Sequence, residues 1–263
     1  MYKYLINSNS KTVIDEKLNL QLREKLQKKL IYSEFINFSG EKELSDILSS
    51  LKKHTTNTLV LIGDDNDFNL LIGQTGKLDS DIAVGYLPIK KSSLSKYLGL
   101  SNIQDSINSL SQRKITEKTI YSLSSRYFLD KIDLSFDENH KEKIIITTDK
   151  GLEIKIPSCV VSIENLNDDN YLTKTPIQIT AYKIESQKQQ RKNKTMLAKF
   201  IAKFNTSAEK REGLILSLHA KNFRINSLSK AKDSTGRIYS QSILIGKSPK
   251  TIRLISKKAD IQK

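Results

Sequence analysis

The stretch Thr58-Leu59-Val60-Leu61-Ile62-Gly63 constrains this chain more than any other. An unbroken apolar run of that length, stopped by a glycine, reads as a strand buried on both faces of a parallel sheet. Asp64, Asp65, Asn66, Asp67 and Asn69 follow at once, so a cluster of acids and amides stands at the carboxyl end of the strand. In an open α/β sheet that end is where ligands are held.

The segments on either side keep the same alternation. Tyr4-Leu5-Ile6 reads as a first strand, and residues 15–30 as a helix with Leu18, Leu22, Leu26 and Leu30 on one stripe. Residues 34–38 suit a second strand. Ser39 is placed to cap a second helix whose first turn is acidic and whose buried face is Leu44, Ile47, Leu48 and Leu51. Leu70-Leu71-Ile72-Gly73 suits the helix after the acidic turn. Residues 81–88 form a fourth strand ending at Pro88, followed by the loop 89–93 and a short helix to Gly99. Ile103, Ile107 and Leu110 mark another helix, with Ser101 as its expected cap. Residues 1–115 are therefore expected to form a doubly wound α/β lobe, a parallel sheet with helices on both faces.

After Ile115 the pattern changes to strands. Residues 144–148 and 152–156 flank Asp149-Lys150-Gly151, a hairpin signal. Further strands are expected at 159–163, 176–182, 214–218, 223–225, 243–245 and 252–255. One helix is expected near 194–204, where Leu197, Phe200, Ile201 and Phe204 share a stripe. Residues 116–263 thus read as a mainly antiparallel β lobe.

The chain has a net charge of +15, and it is unevenly placed. Residues 1–182 carry 24 Lys+Arg and 24 Asp+Glu, whereas residues 183–263 carry 20 Lys+Arg and 5 Asp+Glu. That asymmetry points to an anionic partner, either a phospholipid surface or a nucleic acid. Nucleic acid is the weaker of the two, because aromatic and basic residues are not interleaved beyond Lys203-Phe204 and Phe223-Arg224. No 18-residue apolar run is present to span a membrane, and the amino terminus turns polar at Asn7, too soon for a signal peptide. The lone Cys159 excludes a disulfide framework and reads as a small buried residue. A cytoplasmic protein, peripheral at the membrane and able to form a homodimer, is the expectation.

The order of these elements resembles the catalytic fold of diacylglycerol and sphingosine kinases, which is related to the NAD kinases. Their nucleotide loop reads G-G-D-G-T, then an apolar residue and asparagine. Gly63, Asp65 and Asn69 match it, while Asp64, Asn66 and Asp67 replace the second glycine, the third glycine and the threonine. An opening N-P-x-S-G motif is met by Asn7 and Ser10. A second phosphate loop is met at its ends by Leu87-Pro88 and Leu98-Gly99, with Lys90-Lys91-Ser92-Ser93 between them. The closing stretch 246–255 looks like the last strand of the family. Where the family carries D-G-x-L, this chain has Lys174-Thr175-Pro176-Ile177, with Asp168 and Asp169 just before. Asp233 stands nearest the later D-G-E site.

The resemblance implies a nucleotide-binding α/β lobe at 1–115, a β-sandwich lobe at 116–263, and an ATP- and Mg²⁺-dependent kinase that phosphorylates a lipid hydroxyl at an anionic membrane. Asp65 and Asp233 would be the catalytic carboxylates. Asn7, Ser10, Gly63, Asp65, Asn69, Lys90, Lys91 and Ser92 would hold the nucleotide, and Asp65 and Asp67 the metal. The residues themselves leave a second reading open. Glycines let a backbone approach phosphate, and here side chains stand in their place. Three aspartates in four residues repel a triphosphate by roughly 3 kcal/mol for each unscreened contact at about 5 Å. Either a metal reverses that repulsion, or the loop has lost ATP and the chain is a pseudokinase that binds lipid, nucleotide or protein.

Overall fold

The computed structural model describes residues 2–10, 14–51, 58–78, 82–100, 102–136, 143–157, 159–165, 177–182, 214–233, 236–239 and 241–257. The chain divides into two compact units, one of residues 1–130 with 245–263 and one of residues 131–244.

The first unit alternates strand and helix: β1 (Tyr2–Asn7), α1 (Glu16–Lys28), β2 (Glu34–Phe38), α2 (Glu41–Ser49), β3 (Thr58–Gly63), α3 (Asp65–Thr75), β4 (Ala83–Pro88), α4 (Ser93–Tyr97) and α5 (Ile103–Gln112). β5 (Ile115–Leu123) and β6 (Arg126–Phe128) complete its amino-terminal part. The parallel strands lie in the order β2-β1-β3-β4, with Leu5 opposite Ile36 on one side and Leu61 on the other.

β3 is buried along its whole length, as its sequence requires. Leu59 and Leu61 join one core with Leu44, Leu48, Phe68 and Leu71, whereas Val60 and Ile62 join the other with Leu22, Leu26, Ile107 and Leu110. Each such side chain contributes roughly 1.5–3 kcal/mol. At Gly85 of β4 a Cβ would lie 2.5 Å from Leu110 Cδ2, so glycine lets α5 pack directly on the sheet.

The second unit runs through β7 (Lys131–Phe136), β8 (Ile144–Thr148), β9 (Glu153–Ile156), β10 (Val160–Asn165), β11 (Ile177–Tyr182), β12 (Leu214–Ala220), β13 (Asn222–Asn226), β14 (Ala231–Asp233) and β15 (Ile238–Tyr239). β12-β11-β10-β7-β14-β15 form one antiparallel sheet. β13, β8 and β9 pair antiparallel beside one another, and β8 and β9 are the expected hairpin. Ile132, Leu134, Val161, Ile163, Ile177 and Ile179 give the six-stranded sheet a buried apolar face. Cys159 is fully buried, and burial pushes its thiol up to about 12.

The chain then enters the first unit along β16 (Ser242–Ile255), which pairs parallel with β4 and antiparallel with β5. Two strands were expected here, and the structure has one. Pro249 lacks an N–H, and the ladder slips between Lys247 and Thr251 without breaking the strand.

Two caps also differ from expectation. Gly40, with φ of 118°, is the N-cap of α2, and Ser39 instead donates through both N and Oγ to Glu43 Oε2 at 2.7 Å. α5 is capped by Asn102, whose Oδ1 accepts from Asp105 N at 2.9 Å, while Ser101 lies outside the described residues. The helix expected at 194–204 also lies outside them, as do Asp168, Asp169 and residues 174–176.

Candidate functional site

The strand order β2-β1-β3-β4 reverses direction between β1 and β3. Ligands of open α/β sheets bind at such a reversal, outside the carboxyl ends of the strands. Asn7 closes β1 there and Gly63 closes β3, so the fold brings the two separated motifs together. Asn7 Nδ2 donates to Asp67 Oδ1 at 2.6 Å, and Ser10 Oγ to Asp64 Oδ2 at 3.5 Å.

The acidic stretch is not an open loop. α3 begins at Asp65, and Asp64 is its N-cap: Oδ1 accepts the backbone N–H of Asn66 at 3.0 Å and of Asp67 at 3.1 Å. Aspartate is among the best residues for that role, and Asp65 and Asp67 then favour the positive end of the helix dipole. The helix starts one residue after the strand because the sequence caps it at once.

Asp65 faces β4 and α4. Its Oδ1 accepts from Ser92 Oγ at 2.6 Å and from Tyr86 Oη at 2.9 Å, and its Oδ2 from Leu94 N at 3.5 Å. Burial, followed by the charge of Asp65, pushes the Tyr86 phenol well above its usual range, so it stays a donor. Ser92 is itself the N-cap of α4 in a reciprocal box with Ser95. One hydroxyl thus caps a helix and binds a carboxylate. Nothing in the sequence around Tyr86 announces this role, which depends on the register that sets Tyr86 opposite Leu61.

Asp67 is 5% exposed, and its Oδ2 has no hydrogen-bond partner among the described residues. A Cβ on Gly63 would lie 3.0 Å from that oxygen, so the glycine leaves room for the carboxyl rather than for a phosphate. Burial pushes the Asp67 carboxyl above its usual range and neighbouring Asp64 adds to this, against hydrogen bonds from Ser10 and Asn7.

Asn69 is buried in the second turn of α3, and Lys90 and Lys91 are exposed beyond the end of β4. Asp233 belongs to the second unit, where it closes the β14–β15 turn. Its Oδ2 accepts from Tyr239 Oη at 2.8 Å and its Oδ1 from Arg237 N at 3.1 Å. Among the described residues no group of three or more His, Cys, Asp or Glu is placed to hold a metal ion, and no helix is long and apolar enough to cross a membrane.

No family model matches the sequence, and no curated protein matches it either. The structure does have counterparts. A diacylglycerol kinase from Bacillus anthracis str. Sterne superposes with a TM-score of 0.65 at 12% identity, covering 99% of this chain and 98% of that one. A further structure from the same strain, whose diacylglycerol kinase assignment is itself an inference, gives 0.64 at 12% identity over 97% of this chain and 96% of its own. At that identity the likeness is one of fold. The chain has the fold of the diacylglycerol kinase structures, an α/β unit joined to an antiparallel β unit.

Proposed function

We propose that this chain is a non-catalytic member of the lipid-kinase fold that works at anionic lipid surfaces. The carboxylate of Asp64 carries this reading. It accepts the N–H groups of Asn66 and Asp67, the donors that the start of α3 offers an anion. A magnesium-bound triphosphate does not fit the residues at these strand ends. Side chains stand at positions 64 and 66, Asp65 is held by Ser92 and Tyr86, and Asp67 is buried against Asn7. The lipid surface is supported by the charge, since the whole excess of +15 falls in residues 183–263.

Thermal melting with millimolar Mg-ATP tests the loss of nucleotide. A ligand at a hundred times its Kd stabilises a protein by about 2.7 kcal/mol, and no shift is expected here. The second reading, an ATP-dependent lipid kinase, is favoured by the match along almost the whole chain. Stabilisation by Mg-ATP, with conversion of diacylglycerol in mixed vesicles to phosphatidic acid, would replace the first reading by the second.

A further inference from the structure

The loop between β13 and β14 inverts the usual order of burial. Ser227 and Ser229 are 8% and 7% exposed, whereas Leu228 between them is 69% exposed. The serines satisfy one another: their Oγ atoms are 2.9 Å apart, and Ser229 N donates to Ser227 Oγ at 3.2 Å. With the polar groups paired inside, the leucine is left on the outside. Ser227 N donates to Gln241 O at 2.9 Å, which fixes the loop beside the chain that leaves β15. Three residues before Gln241 stands Ile238, 61% exposed, and it faces exposed Lys232 across the β14–β15 pair.

The charges of this edge are one-sided. Residues 227–241 contain Lys230, Lys232 and Arg237 against a single acid, Asp233. That acid is buried and accepts from Tyr239 Oη and the backbone N–H of Arg237, whereas Lys230 and Lys232 are exposed.

We propose that this edge is the contact with the bilayer: Leu228 and Ile238 enter the interfacial layer while Lys230 and Lys232 meet anionic headgroups. The proposal rests on the lipid-surface reading above and names the surface that serves it. Aliphatic tips beside exposed lysines match a surface with hydrocarbon just beneath a layer of negative charge. A nucleic acid offers the charge without the hydrocarbon.

The chain has no tryptophan, so Leu228→Trp introduces a sole tryptophan, whose emission is excited apart from that of the tyrosines. Its emission is expected to shift to the blue with vesicles of phosphatidylglycerol and phosphatidylcholine, and not with phosphatidylcholine alone. Leu152→Trp, at an exposed position beside the β8–β9 turn, is expected to stay unshifted. In sedimentation with the same mixed vesicles, Leu228→Ser with Ile238→Ser is expected to weaken binding about tenfold or more, from the apolar area withheld. Lys230→Glu with Lys232→Glu is expected to weaken it by at least as much. Matching melting curves show that the variants are folded. If the unaltered chain sediments with these vesicles but the variants bind equally well, or Leu228→Trp does not shift, this edge is wrong and the lipid-surface reading stands. If the unaltered chain does not sediment with them, both fall.

Discussion

Asp64 and Asp67 are three residues apart and have opposite relations to their surroundings. Asp64 gains two backbone donors, whereas Asp67 gives up water and keeps an oxygen with no hydrogen-bond partner among the described residues. The fold therefore favours the neutral form of Asp67, whose pKa lies above its ordinary 3.8. The sign follows from linkage: this group adds most to stability below its unfolded pKa, and the contribution is lost as pH rises through the folded value. Asp67→Asn keeps an oxygen for Asn7 and cannot ionise. Relative to the unaltered chain, it is expected to gain stability as pH rises from about 4 to 7. Urea unfolding at each pH measures this, and a relative loss of stability toward neutral pH would refute it.

At the scale of elements, Asp65 ties the start of α3 to β4 and to α4. Asp65→Ala leaves the buried Tyr86 hydroxyl without its carboxylate acceptor and is expected to cost about 1–3 kcal/mol. Ser92→Ala removes the α4 cap together with one bond to Asp65, at about 1 kcal/mol. Because the Ser92–Asp65 bond is counted in both, the double variant is expected to lose less than the sum of the two, as urea unfolding will show. Most of the elements joined here were legible in the sequence. β3 announced itself by an apolar run that only a two-sided burial accommodates, and α4 was expected as the short helix between the loop 89–93 and Gly99. The start of α3 was not legible as such, because acids in a first helical turn and acids in a ligand loop have the same sequence. Only the backbone distinguishes them. Likewise, the apolar runs 243–245 and 252–255 read as two strands, yet the flanking pairs to β5 carried one strand through the residues between them.

For the whole molecule, the charge asymmetry predicts a salt-dependent association. Binding to vesicles containing phosphatidylglycerol is expected to fall as sodium chloride rises beyond about 0.1 M, where the Debye length is near 10 Å. The apolar contacts of Leu228 and Ile238 are expected to leave a residual affinity that salt does not remove. Complete loss at high salt would show that charge acts alone.

The sequence by itself determined that a parallel sheet with two covered faces precedes an antiparallel unit, because strand and helix periods and buried runs are local properties. It also determined where the net charge lies along the chain. Tertiary structure decided the rest. Strand order brought Asn7 to Asp67, sixty residues apart, and register gave Asp65 to Tyr86. The buried, mutually bonded serines turned Leu228 outward. Each of these depends on which backbone lies beside which, and that is set by long-range pairing that no local pattern carries.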